Sequence, residues 1–124
     1  METGLTFTSM MTVDAAHTAL AMGSGDMEVL ATPAMVALME NAAMRAVESG
    51  LPEGSTTVGA LMETTHVKPS PVGAEVSATA TLMEIDRRKL VFAVKAFDAS
   101  GVIGEGTHVR YIVDREKFLS KLDV

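Results

Sequence analysis

The chain has 124 residues, 48% of them apolar, and 10 Lys and Arg against 16 Asp and Glu give a formal charge of −6. That length suits one domain over residues 1–124, because two independent cores would each be too small to be stable, and the apolar content excludes disorder. The acidic balance argues against broad binding to nucleic acid or anionic membrane, and with no cysteine there is no disulfide, thiolate metal site or thiol nucleophile, so any nucleophile is oxygen or nitrogen.

Met1 to Val13 contains Glu2 and no Lys or Arg, and lacks the basic and long apolar regions of a signal peptide, so a cytoplasmic location is expected. Apolar stretches are interrupted well before the ~20 residues that cross a bilayer. Leu5 to Val13 alternates Thr6, Thr8 and Met10 against Leu5, Phe7 and Ser9 and predicts a first strand. Ala21 to Glu28 reads as a loop, with Gly23-Ser24-Gly25-Asp26 supplying its turn.

A helix of four to five turns follows. Thr32 suits its N-cap, Pro33 its first position, and Gly50 stands just past its end. Met35, Leu38, Met39, Ala42 and Ala46 form one apolar stripe, with Asn41, Arg45 and Glu48 on the other side. Ala34, Ala37, Ala42, Ala43 and Ala46 permit close approach of a sheet.

From Ser55 the helical period gives way to four β-like segments: Thr56 to Val67, Ala74 to Ile85, Lys89 to Ala99 and Val102 to Val113. Asp86-Arg87-Arg88 and Ser100-Gly101 are tight enough for hairpins. Val76, Ala78, Ala80 and Leu82 alternate with Glu75, Ser77, Thr79 and Thr81, which marks a sheet with one buried face. With one long helix to cover that face, the economical architecture is α+β: an antiparallel sheet of about five strands curled around a central helix, the hot-dog arrangement. Open strand edges in such a sheet call for a homodimer. Leu119 to Val124 reads as a loosely held tail.

Chemistry-bearing residues are few, and each has a plain reading. Glu40 leaves the helix among Val36, Ala43 and Val47; it is either a carboxylate snorkelling from the stripe's edge or a general base or nucleophile tuned by burial. Thr32 caps a helix, or also helps a helix N-terminus receive an oxyanion or phosphate. Eight helical residues separate the two by ~12 Å. His66 lies near a sheet rim, where a lone imidazole is more often a surface residue than a catalyst, and His17 and His108 show no partner in the sequence. Arg87-Arg88-Lys89 falls at a hairpin tip, as simple solvation or as a grip on phosphates, with Lys68 and Arg110 as weaker candidates for that grip. The ten methionines suit core filling or a pliable acyl pocket. No Cys or His-x-x-x-His pattern supports a metal site, and no cofactor is expected.

Taken together, Ala31-Thr32-Pro33 with Glu40 eight residues on, Thr57-Val58-Gly59 with His66 seven after the glycine, Pro71-Val72-Gly73 and Gly104-Glu105-Gly106-Thr107-His108 resemble the fluoroacetyl-CoA thioesterase family of the hot-dog superfamily. The resemblance runs from about Glu28 to Phe118. It implies a homodimer, with a tetramer as the larger alternative, and acyl-CoA sites at the subunit interface. It also implies a Thr, Glu and His set at Thr32, Glu40 and His66, with Gly59 near the thioester. His66 and Glu40 would activate water, or Glu40 would attack the thioester, while Thr32 and nearby N–H groups steady the oxyanion. The loop Gly23-Ser24-Gly25-Asp26-Met27 lacks the aromatic residues of the fluoroacetyl-specific enzyme, so the acyl group stays open. The alternative is a binding module for acyl-CoA or another small ligand that has lost turnover; a structural partner protein is a third reading. A hydratase would want an Asp/His or His/Glu pair in its own motif setting, which is absent.

Overall fold

A computed structural model describes residues 1–122. In chain order it contains β1 (Thr6–Thr12), a short helix α1 (Ala19–Met22), the long helix α2 (Thr32–Val47), β2 (Ser55–Thr64), β3 (Glu75–Asp86), β4 (Lys89–Asp98), β5 (Gly101–Asp114) and a short helix α3 (Arg115–Leu119). The five strands form one antiparallel sheet in the order β1-β3-β4-β5-β2. The sheet curls around α2, as the patterning predicts.

The period-two and period-3.6 patterns meet in the core. Met35, Leu38, Met39, Ala42 and Ala46 of α2 are all buried, and Ala34, Ala43 and Val47 join them. They pack on Val76, Ala78, Ala80 and Leu82 of β3 and on Leu90, Phe92, Val94 and Ala96 of β4. Alanine on both surfaces lets the helix backbone lie close to the sheet, and Phe92, Met35 and Met39 fill the remaining space. Ala37, grouped by sequence with the close-approach residues, is exposed on the helix flank instead. Both hairpins close in two residues, Arg87-Arg88 and Ala99-Ser100, with Arg87 at φ 58 and Gly101 at φ 117 supplying the left-handed backbone such turns require.

Three local expectations shift. Thr32 is the first residue inside α2, not its cap; Ala31 holds the cap position without a side-chain bond, and Pro33 falls second. The reason is that the Thr32 hydroxyl is engaged elsewhere, as described below. The helix ends at Val47, and Gly50 belongs to a following 3-10 turn. Part of the Ala21–Glu28 loop is helical: Thr18 caps α1 through the Ala21 N–H at 3.1 Å, and Gly23 at φ 76 ends it. At the C-terminal end Asp114 caps α3 by accepting from the Lys117 N–H at 2.9 Å. The predicted tail begins at the last residue of α3, and its final two residues lie outside those described.

β2 is an outer strand of the sheet, and its edge is open along ten residues. Leu61 on β2 is 44% exposed, and Val67 beyond its end is 67% exposed. An open edge beside apolar side chains is what a soluble protein ordinarily covers.

Candidate active site

β2 organises the site through a bulge. Gly59 pairs with Arg110 on β5 and Leu61 pairs with Val109, so Ala60 is the extra residue. Residues seven apart on a regular strand point to opposite faces. The bulge reverses the parity: Thr57 and Gly59 face the helix before it, and Met62, Thr64 and His66 are the more buried positions after it. Gly59 and His66 are thereby aimed at the same helix.

Glycines on β5 complete the approach. A side chain at Gly104 would collide with the Thr65 carbonyl, and one at Gly106 with the Glu63 carbonyl, so the end of β2 lies directly on the β5 backbone. Beyond the strand, the Thr65 N–H donates to the Glu105 carbonyl at 3.0 Å and the Val67 N–H to the Ile103 carbonyl at 2.7 Å, which holds His66 between them.

There His66 meets the start of α2. Its Nδ1 and the Thr32 Oγ1 are 2.7 Å apart, while its Nε2 is buried without a protein partner. Burial holds the imidazole below its ordinary pKa, against an opposing effect of the Lys68 backbone, and so favours a neutral ring able to accept the hydroxyl proton. The first turn of α2 adds the Thr32 N–H, which has no intrahelical acceptor. Beside the pair lies an open cavity of about 330 Å³, bounded by Ser24, Gly25 and Met27 on one side and Val67 to Pro69 on the other.

About 12 Å further along the helix axis a second polar group forms. Glu40, 42% exposed, lies against Gly59, with Oε2 3.8 Å from Nη1 of Arg110. A β-carbon at residue 59 would stand 2.6 Å from that oxygen, which explains the glycine. Arg110, a candidate grip on phosphates by sequence, is buried: Nε donates to Thr57 Oγ1 at 2.8 Å and Nη2 to the Thr57 carbonyl at 2.9 Å. Nη1 faces Nε2 of His108 at 3.2 Å. The His108 Nδ1 donates to the Leu61 carbonyl at 2.7 Å, so Nε2 is its acceptor and the ring is neutral. Burial is the largest influence lowering its pKa; Arg110 adds to it, while the Leu61 carbonyl and Glu40 oppose it.

The fold therefore joins Thr32 to His66 and Glu40 to Gly59 and Arg110. Among the described residues no hydrogen bond links Glu40 to His66 within the chain. Arg87 and Arg88 stand exposed at the β3–β4 tip, near the Glu40 group and about 20 Å along β5 from the Thr32–His66 pair. His108 is the residue that sequence reasoning missed; its even spacing from Arg110 along a strand was the available signal. No group of three or more metal-ligating side chains occurs among the described residues, and no helix there is long and apolar enough to cross a membrane.

A five-stranded antiparallel sheet curled around one long helix defines a hot-dog-fold protein, and comparison with known proteins places it in the thioesterase class. Residues 13–116 match the family model described as fluoroacetyl-CoA-specific thioesterase. The chain belongs to that family. It is 40% identical over 95 residues to the fluoroacetyl-CoA thioesterase of Streptantibioticus cattleyicolor, covering 77% of this chain and 68% of that one. A crystal structure of the fluoroacetyl-CoA thioesterase FlK superposes with a TM-score of 0.91 at 35% identity, over 98% of this chain and 94% of the other. A variant of FlK in complex with fluoroacetate and CoA matches at 0.89 and 35% identity, over 95% and 99% of the two chains. A Thermus thermophilus member of the thioesterase superfamily, 24% identical over 96% of this chain and 88% of its own, has the same fold at a TM-score of 0.88.

Proposed function

We propose that the protein hydrolyses a small acyl-CoA thioester to the free acid and CoA, with Thr32, His66 and Glu40 as its catalytic residues. The observation that carries this reading is the 2.7 Å contact between the Thr32 hydroxyl and His66 Nδ1 at the start of α2. A hydroxyl bonded to a neutral imidazole is an activated nucleophile, a different role for Thr32 from the oxyanion donor that the sequence suggested.

In the proposed reaction the Thr32 Oγ1 attacks the thioester carbon as its proton passes to His66 Nδ1. The carbonyl oxygen becomes an oxyanion that accepts from the Thr32 N–H. Collapse breaks the C–S bond, and the departing thiolate takes the proton from His66. Water then attacks the acyl-threonine, with His66 as base, and releases the acid. Glu40 lies about 12 Å along the helix from this pair in its own chain, so it orients that water across the subunit interface, from the second copy. Gly59 leaves room for the Glu40 carboxylate, and Arg110 offsets its charge. CoA phosphates and thioester are separated by a long pantetheine arm, so Arg87 and Arg88 serve the phosphates without adjoining the pair. Two copies associate along the β2 edge, which places each site at a subunit interface, and a larger assembly such as a tetramer is compatible with this. The protein acts in the cytoplasm and needs no cofactor.

Thiol release from a panel of acyl-CoAs, followed by intact-protein mass measurement, tests the scheme. Glu40→Gln is expected to accumulate an acyl adduct on the peptide containing Thr32, and Thr32→Ala or His66→Ala to form none. An adduct on Glu40 would replace Thr32 as nucleophile, and binding without thiol release would leave a CoA-binding module.

A further inference from the structure

His108 touches neither Thr32 nor His66, yet it is fully enclosed and bonded at both nitrogens. Its Nδ1–H donates to the Leu61 carbonyl, the residue immediately after the extra Ala60 of the β2 bulge. Its Nε2 accepts from Nη1 of Arg110, the guanidinium nitrogen that faces Glu40. A buried polar ring ordinarily satisfies itself locally; this one spans the two features on which the separated groups depend. Loss of the first bond frees the bulge that sets which way His66 faces. Loss of the second leaves the guanidinium held by Thr57 alone, at Nε and Nη2, and removes the acceptor from Nη1, the nitrogen that faces Glu40.

We infer that His108 is a positioning residue that holds the Thr32–His66 pair and the Glu40–Arg110 pair in mutual register by pinning the β2 bulge and the Arg110 guanidinium at once. The inference rests on the thioesterase reading for its activity readout only. The groups facing the ring are Arg110 beside it on β5, Glu40 from α2 and the Leu61 carbonyl from β2, with the Phe92 ring of β4 tilted against it at 6.2 Å between centroids. Protonation of Nε2 would remove the acceptor and set an imidazolium against the guanidinium, so the function requires the neutral ring.

Three substitutions separate the bonds. His108→Asn keeps a donor near the Nδ1 position, His108→Gln keeps an acceptor near the Nε2 position, and His108→Leu keeps neither. Misplacement of about 1 Å costs on the order of 100-fold in rate. His108→Leu is therefore expected to lower kcat roughly 10- to 100-fold with KM within about threefold, and His108→Gln to recover most of the loss. Side-chain nitrogen NMR supplies a readout independent of turnover: with Nε and Nη2 held by Thr57 in every variant, rotation of the Arg110 Nη1 amino group should be slow in the wild type and His108→Gln, and fast in His108→Asn and His108→Leu. If His108→Leu does not fold, the comparison of Asn with Gln carries the same test. Turnover equal to wild type in His108→Leu or His108→Asn with slow rotation at Arg110 Nη1 would overturn the inference. Wild-type protein that releases no thiol from any acyl-CoA, yet shows the expected Arg110 mobilities, would sink the thioesterase reading and leave the positioning intact.

Discussion

Gly59→Ala is the sharpest probe of the Glu40 group. The added β-carbon would sit 2.6 Å from Glu40 Oε2, 3.3 Å from His108 Cε1 and 3.5 Å from Arg110 Nη1. Only the first contact is severe, and it falls on the end of a half-exposed, flexible side chain, so the chain folds and the carboxylate retreats by about 0.8 Å or more to ordinary contact. Displacing the half-exposed carboxylate from its 3.8 Å contact with Arg110 costs about 0.2–1 kcal/mol, because Arg110 keeps its bonds to Thr57 and His108. Alanine returns about 0.5–1 kcal/mol by restricting the unfolded chain. The two nearly cancel, so the melting temperature of Gly59→Ala should stay within about 3 degrees of the wild type. The rate of thiol release is expected to fall roughly 10- to 100-fold, because displacements near 1 Å have that effect. The decisive arm is the cycle with Glu40→Ala: once the carboxylate is gone, Gly59→Ala should gain about 0.5–1 kcal/mol. Calorimetry on the four proteins measures this. An equal change in both backgrounds would show that the glycine serves the strand and not the carboxylate, and would refute the reasoning.

Other outcomes follow from the same geometry. Thr32→Ser should retain measurable thiol release and Thr32→Ala should lose about 100-fold or more, since the proposed nucleophile is removed; steady-state assays decide. His66 and His108 both have pKa values below the unfolded 6.5, so the unfolded state binds more protons in the window between. Stability from both is fully present above about pH 6.5 and declines as pH falls through that window. Urea midpoints against pH should show the decline, shallower in His108→Gln. A glutamate at Leu61, on the open β2 edge, should convert a dimeric elution volume to a monomeric one in light-scattering chromatography.

Much of the fold was legible because its signals are periodic. The α2 stripe and the alternation of Val76, Ala78, Ala80 and Leu82 each record which side is buried, and Gly101 marks a turn by the backbone it alone adopts easily. The cap at Thr32 was misread for a physical reason: capping propensity describes a hydroxyl with nothing better to bind, and His66, 34 residues away, competes for it. Such long-range partners leave no local trace. Arg110 was taken as a candidate grip on phosphates because one basic residue in a strand of mixed polarity does not reveal its face. His108 and Arg110, two apart, share a face, and that face is buried.

The seven-residue interval from Gly59 to His66 contained more than its use as a motif. An odd interval on an unbroken strand would point one residue inward and the other outward, so a functional role for both requires an irregularity between them. The structure has it at Ala60, and the His108 bond to Leu61 secures it. A bulge costs a ladder position and is kept where it re-aims side chains. The same strand thus presents a glycine to Glu40 and, after the reversal, an imidazole to Thr32, while Gly104 and Gly106 let the reversed segment lie on β5. The fold's tolerance for close backbone contact, written as glycines on two strands, is what lets a rigid helix meet its partners two turns apart.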